Sequence, residues 1–259
     1  MIIIAHRGAP AETVENTKSS FRAALRSKAH MLETDLRLTS DGHLVLHHDA
    51  TTRRLLGITS IIARQPLKRL LMLRYANRDK ILTVAQLFAL VQGQLAINLE
   101  LKAPGTARAL LEHLERHPYA GMLLISSPHL AELREARERG WSGPLGPVLN
   151  TLRPTTWEQL EQGRFQFVSL QKRLCTSKVR GRLQDLGLLV FVYTVNDPVD
   201  MVKFHEAGVA GIFTDHPALA ARTLRAVPQT LARYLLSRWF AAERRQTHDH
   251  RHPERNQES

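Results

Sequence analysis

The chain has 259 residues, 43% apolar and 23% charged, which excludes a disordered polypeptide and allows a sizeable core. No apolar run reaches the ~18 residues that cross a membrane, and MIIIAHRGAP lacks the basic start and cleavage pattern of a secretion signal, so the cytoplasm is the expected compartment. The formal net charge of +12 favours anionic partners, but the basic residues are spread along the chain, so a solvated surface is preferred to a nucleic-acid patch.

The first apolar run, Ile2-Ile3-Ile4-Ala5, is β-rich and too short for a helix. Glu15-Asn16-Thr17 then opens a helical stretch with Phe21, Ala24 and Leu25 on one face. An extended pattern follows at 31–38, and Asp41-Gly42 is a turn signal between 37–39 and 44–46. The second strand is therefore predicted to run on into a hairpin. Helical patterns at 82–91, 106–117, 130–139, 156–162, 177–186, 198–207 and 218–226 alternate with extended ones at 95–102, 122–126, 145–149, 165–171, 189–195 and 211–214. Gly140, Gly187 and Gly208 stand where helix C-caps belong. Cys175 is the single cysteine; it excludes an intrachain disulfide and a multi-cysteine zinc site, and is expected to be a buried apolar residue.

Alternating strands and helices imply parallel strands with crossover connections. Eight such units in about 225 residues predict an α/β fold, a (β/α)8 TIM barrel with a small β-hairpin extension after strand two. The alternative, an open doubly wound sheet, normally carries a glycine-rich phosphate loop after its first strand; here that strand leads into His6-Arg7-Gly8. The barrel is assigned residues 1–228. Leu231, Tyr234, Leu235 and Trp239 share a helical face, so 229–242 is read as an amphipathic helix. The polar segment 243–259 is read as a disordered tail.

Barrel active sites lie at the C-terminal ends of the strands. His6-Arg7 closes the first strand, and Glu33 and Asp35 share one face of the second. His47-His48-Asp49 ends the hairpin, and Asn98, Glu100 and Lys102 share one face of the next strand. Three inward carboxylates repel one another and lose solvation, which requires compensating positive charge. Hard divalent cations take oxygen ligands, so Glu33, Asp35 and Glu100 read as a Mg²⁺ or Ca²⁺ site, with Mn²⁺ a further option. The competing reading is a structural network in which these acids pair with Arg7, Arg37 and Lys102. Three acids and two cations at adjacent strand ends favour the site. His6 and His48 are the candidate proton carriers; alternation turns His47 away. Arg7 and Lys102 suit the non-bridging oxygens of a phosphate.

In order, His6-Arg7-Gly8, Glu15-Asn16-Thr17, Glu33-x-Asp35, Asp41-Gly42, His48-Asp49 and Glu100-x-Lys102 resemble the glycerophosphodiester phosphodiesterase family, in its short bacterial form. Tyr193-Thr194-Val195-Asn196 and Gly211-Ile212-Phe213-Thr214-Asp215 resemble that family's last two strand signatures. The resemblance implies a metal-dependent barrel that hydrolyses glycerophosphodiesters to glycerol 3-phosphate and an alcohol. Carried over, Glu33, Asp35 and Glu100 hold the metal, and His6 and His48 are the acid/base pair. Arg7, Lys102 and Tyr193 meet substrate, and Asn16 stands behind the site near His6. The implied reaction is attack by the glycerol 2-hydroxyl, protonation of the leaving alcohol, and opening of a cyclic phosphate by water. His6 as base with His48 as acid is the preferred order, and the reverse stays open. Three positions depart from the family pattern: Leu55-Leu56 follow Arg54 where two threonines are usual, Tyr193 replaces a tryptophan, and Pro128 replaces a phenylalanine. The implied partner is a small-molecule glycerophosphodiester, with no nucleic acid. The rival functions are a lysophospholipase D, for which the Trp239 stretch would lie on a membrane surface, and a catalytically silent binding barrel. A helix packed on the barrel is preferred for that stretch, and intact His6, His48 and acids argue against silence.

Overall fold

Strands and helices alternate throughout residues 1–225, which the computed structural model describes. The expected barrel end at 228, the helix 229–242 and the tail 243–259 lie outside these residues. Strand β1 (Ile2–Ala5) is followed by α1 (Lys18–Arg26), β2 (Met31–Leu38) and the short β3 (Leu44–Leu46). After α2 (Arg53–Leu56), α3 (Leu67–Leu70) and α4 (Val84–Val91), the alternation is regular. It runs β4 (Ala96–Leu101), α5 (Thr106–Arg116), β5 (Leu123–Ser127), α6 (Leu130–Glu138), β6 (Leu145–Leu149) and α7 (Pro154–Gln162). It ends with β7 (Phe167–Gln171), α8 (Ser177–Asp185), β8 (Leu189–Tyr193), α9 (Pro198–Glu206), β9 (Gly211–Thr214) and α10 (Pro217–Thr223).

Sheet order is β1-β9-β8-β7-β6-β5-β4-β2-β3, and β1 also pairs with β2, so the eight parallel strands close on themselves. Closure excludes the open doubly wound alternative: Ile2 to Ala5 register with Gly211 to Thr214 on one side, and Ile4 and Ala5 with Met31 and Leu32 on the other. The ninth strand is the predicted hairpin arm. β3 pairs antiparallel with β2, Leu38 opposite Leu44, across a turn in which Gly42 takes φ +79°.

Period two sorts each strand's side chains between two cores. Outward residues such as Ile3, Leu32, Leu36, Ile97, Leu99, Ile125, Val190 and Ile212 pack against helix residues such as Phe21, Leu87, Leu110 and Leu133. Inward residues Ile2, Ile4, Met31, Ala96, Leu124, Phe167, Phe191 and Phe213 plug the barrel floor. Fully burying one such large apolar side chain is worth roughly 1.5–3 kcal/mol. Above the floor the inward positions turn polar, at Glu33, Asp35, Asn98, Glu100, Ser126 and Ser169, all buried. That change of character places the site at the C-terminal mouth. A third cluster, Val45, Ile62, Leu70, Tyr75 and Ile81, gives the segment between β3 and α4 its own small core, with Val14 from the first barrel loop packed on it.

Thr17 caps α1 through its side chain, and Thr83 with Gln86 makes a full capping box on α4. The helices α2 and α3, within 53–70, were not foreseen: each is four residues long, too short for helical periodicity to register. Cys175 is half-buried rather than enclosed, because it follows a short 3₁₀ turn at the barrel rim.

Candidate active site

Strand register builds the acidic centre. Glu33 lies beside Asn98 and Asp35 beside Glu100 across the β2–β4 pair. Ligand oxygens of Glu33, Asp35 and Glu100 all lie within 4.8 Å of one another, and Glu33 and Asp35 are fully buried. Oε1 of Glu33 is buried with no hydrogen-bond partner among the described residues, while Oε2 accepts the backbone N–H of Arg7 at 2.9 Å. That N–H is aimed by a left-handed backbone at Arg7 (φ +52°), followed by Gly8 (φ +94°). Gly8 is also required sterically, since a β-carbon there would come within 2.3 Å of Ser20 Oγ. Left-handed backbone at a non-glycine costs of order 1 kcal/mol or more, and Asn16 adopts it as well (φ +56°).

Two cations enter the acidic centre. Lys102 Nζ lies 3.2 Å from Asp35 Oδ1 and also pairs with Glu100; Arg7 Nε lies 3.2 Å from Asp35 Oδ2. Burial alone would raise Asp35, but Lys102, Arg7, His48 and a hydrogen bond from Asn16 hold it far below the ordinary carboxylate range. Glu33 goes the other way: burial and the charges of Asp35 and Glu100 push it well above that range, against the pull of Arg7 and Lys102. Two positive side chains therefore do not neutralise three buried acids. An oxygen-only donor set, the orphaned buried Oε1 of Glu33 and this charge deficit together fit a hard divalent cation. Arg37 makes no direct ion pair with these acids, although Asp35 and Glu100 are near enough to favour its charge; its Nε donates to the His48 carbonyl at 2.8 Å and its Nη1 to the Lys102 carbonyl at 3.4 Å.

The two histidines each have a carboxylate on Nδ1. His6 meets Asp215 Oδ1 at 2.7 Å, and His48 meets Asp49 Oδ1 at 2.7 Å. A carboxylate on Nδ1 accepts that nitrogen's proton and leaves Nε2 as the atom for chemistry. The other oxygen of Asp215 accepts from the Asn196 amide at 2.6 Å. The other oxygen of Asp49 accepts from Arg54 Nε at 2.6 Å. Burial pushes His48 below its ordinary value; Asp35 opposes this and Arg7 and Lys102 add to it. His47 points away as expected, its ring nitrogens meeting Tyr75 and the Thr51 carbonyl.

Two residues differ from their expected surroundings. Asn16 donates to Asp35 Oδ2 at 2.9 Å and accepts from Thr34 at 2.7 Å, so its bonds are to the acidic centre rather than to His6. Tyr193 donates its hydroxyl hydrogen to the Leu149 carbonyl at 3.0 Å and sets its ring edge-on to Phe213. The sequence reading gave no role to Asp215, Asn196, Asp49, Glu15 or Arg54. Asp215 follows the last residue of β9, and that strand-end position was the available signal.

Comparison with known proteins gives the chain its relatives. The model of the Glycerophosphoryl diester phosphodiesterase family matches residues 6–219. A glycerophosphodiester phosphodiesterase from Caldanaerobacter subterraneus subsp. tengcongensis is 26% identical over 238 residues, covering 86% of this chain and 98% of that one. The crystal structure of a glycerophosphodiester phosphodiesterase from Thermotoga maritima superposes with a TM-score of 0.75 at 27% identity, covering 86% and 97% of the two chains. A phosphodiesterase from Oleispira antarctica, solved in complex with its product sn-glycerol-3-phosphate, shares the fold, with a TM-score of 0.81 at 24% identity and coverage of 87% and 97%.

Proposed function

Since the chain belongs to the glycerophosphoryl diester phosphodiesterase family, we propose that it is a metal-dependent hydrolase that converts glycerophosphodiesters to glycerol 3-phosphate and an alcohol. The chain is a phosphoric diester hydrolase by family; metal dependence and the residue roles are our reading. The observation that carries it is the convergence of Glu33, Asp35 and Glu100 within 4.8 Å at the barrel mouth, with Glu33 Oε1 unpartnered. These three would hold the divalent cation, Mg²⁺, Ca²⁺ or Mn²⁺. When bound, such an ion polarises a phosphoryl oxygen and offsets the charge that develops at phosphorus.

Arg7 and Lys102 bind the non-bridging oxygens, Arg7 as a fork and Lys102 as a point charge. The ring of Tyr193 packs on the glycerol carbons. His48, pushed by burial toward its neutral form, accepts the proton of the glycerol 2-hydroxyl at Nε2 as that oxygen attacks phosphorus. His6 donates its Nε2 proton to the departing alcohol oxygen, with Asp215 stabilising the charged ring. Water then opens the cyclic phosphate, with the two histidines exchanging roles. This order reverses the one preferred from the residues alone. Asp49 shares its charge with Arg54, whereas Asp215 shares its second oxygen with a neutral amide, so Asp215 is the better support for a cationic ring.

Glycerophosphocholine hydrolysis, followed as choline and glycerol 3-phosphate in EDTA and with each divalent ion, tests the activity. Turnover that persists in a metal-free protein would refute the metal assignment. The leaving group tests the order. A p-nitrophenyl ester of glycerol 3-phosphate departs as a stable anion and needs no acid. His6→Ala should then lose little on that ester while His48→Ala stays impaired; the opposite pattern would restore the first order.

A further inference from the structure

Four charged side chains run in sequence around the rim of the barrel mouth and end on the ring of His48. Arg7 Nη1 donates to Glu15 Oε1 at 3.1 Å. Glu15 accepts both arms of Arg54, Nη2 on Oε1 at 2.6 Å and Nη1 on Oε2 at 3.0 Å. Nε of Arg54 meets Asp49 Oδ2 at 2.6 Å, and Asp49 Oδ1 takes Nδ1 of His48 at 2.7 Å. Arg54 thus engages all three of its nitrogens, two bonds to one carboxylate and one bond to another. That arrangement is fixed in direction as well as in charge, which a lysine could not reproduce.

Asp49 is the next residue after His48, on a loop, and its side chain is 28% exposed. Nothing in the local backbone obliges its carboxylate to face the histidine ring. Arg54 supplies the constraint by holding the second oxygen. Arg54 stands on α2, which is anchored by Leu55 and Leu56 against the small core of the β3–α4 segment. Glu15 is nearly buried on the first barrel loop, so it is the fixed post of the arrangement. We propose that Arg54, seated on Glu15, is a positioning residue of the diesterase: it clamps Asp49 against His48 and thereby fixes the ring's orientation and its Nδ1-protonated tautomer. The inference rests on the acid/base role given to His48 above. Arg54 also holds the nearly buried Glu15 in a bidentate pair, so it carries some stability as well, and the reading that isolates the clamp is turnover of the folded protein.

The test is a double-mutant cycle in the full chain, with wild type, Arg54→Ala, His48→Ala and the double variant assayed on glycerophosphocholine with the supporting divalent ion. Outer partners of this kind typically change activity by about 10–100-fold. Arg54→Ala, assayed well below its own melting transition, should lower kcat by an amount in that range and leave KM within about twofold. In the His48→Ala background the same change should cost almost nothing, because its target is gone. A full-rate Arg54→Ala protein, or an equal loss with and without His48, would overturn the proposal. Imidazole nitrogen NMR gives a reading that needs no turnover: His48 should be the Nδ1-protonated tautomer in wild type and a mixture in Arg54→Ala. An unchanged tautomer would overturn the clamp, whereas a wild-type chain that shows the tautomer shift on substitution but hydrolyses no diester would overturn the functional reading alone.

Discussion

Glu33→Gln separates a metal site from a structural ion network. In the metal-free chain, burial and two neighbouring carboxylates push Glu33 well above the ordinary range, which favours its neutral form relative to an ordinary carboxylate. Replacing a neutral acid by an amide of the same shape, whose oxygen can still accept from the Arg7 N–H, removes little. Had Glu33 been ionised beside Asp35 and Glu100, each pair, within 4.8 Å, would repel by about 3.5 kcal/mol or more at an effective dielectric of 20; Gln relieves that too. In EDTA the variant should therefore melt within roughly 2–4 °C of wild type, or above it, allowing about 1 kcal/mol either way. The ion tells the two proteins apart. At 100 times its dissociation constant a ligand adds about 2.7 kcal/mol, which for a domain of this size is a rise of roughly 5–11 °C. Wild type should show that rise with the activating ion and Glu33→Gln should not. Thermal melts of both proteins in EDTA and across an ion titration are the assay. If Glu33→Gln lost more than about 3 kcal/mol in EDTA, in the range for breaking a buried pair, the acids would be a structural network and the metal reading would be wrong.

Gly8→Ala should lower the melting temperature by roughly 4–12 °C, from about 2–3 kcal/mol of strain and clash, since φ there is +94° and the new carbon meets Ser20 Oγ at 2.3 Å; a wild-type melt would disprove the close approach. Tyr193→Phe should cost about 0.5–1.5 kcal/mol for the hydrogen bond to Leu149 with KM unchanged, whereas Tyr193→Ala should raise KM; a large KM effect from Phe alone would mean the hydroxyl, not the ring, meets substrate. Asp49 supplies an acid limb to stability. Burial would raise its pKa, but His48 and Arg54 bring it from the usual 3.8 to about 2. A folded value below the unfolded one stabilises above pH 4 and loses that stabilisation as pH falls toward 2, so Asp49→Asn should flatten the acid dependence of the melting temperature in that window. An identical acid dependence in the variant would refute the pairing.

The barrel was legible because its strands carry their own lengths and partners. Ile2–Ala5 and Gly211–Thr214 are short β-rich runs bounded by turns, and the intervening helices are amphipathic enough for their period to show. Asp41-Gly42 announced the hairpin through turn chemistry alone. The segment between β3 and α4 stayed unread. The segment holds its place by burying Ile62, Leu70, Tyr75 and Ile81 against Val45, with Leu55 and Leu56 of α2 packed on that cluster, a contact set made by tertiary packing and invisible to any periodic pattern. His48, Asp49 and Arg54 all stand on that segment.

The acidic centre was legible for the same reason as the strands. Glu33 with Asp35, and Glu100 with Lys102, are two residues apart, so period two puts each pair on one face, and the parallel β2–β4 register brings the pairs together. The residues that support the histidines obey no such rule. Asp215 lies 209 positions from His6, and Arg54 is 39 positions from Glu15. Barrel closure joins the first pair and a folded insertion joins the second, and neither event leaves a local trace. Asp49 was legible as a residue but not as a partner, because adjacency to His48 does not say which way a carboxylate turns; Arg54 decides that. What a single sequence exposes is therefore the part of the site carried on strands. The groups that fix tautomers and aim the rings come from loops, where the deciding contact is made by a side chain distant in the chain.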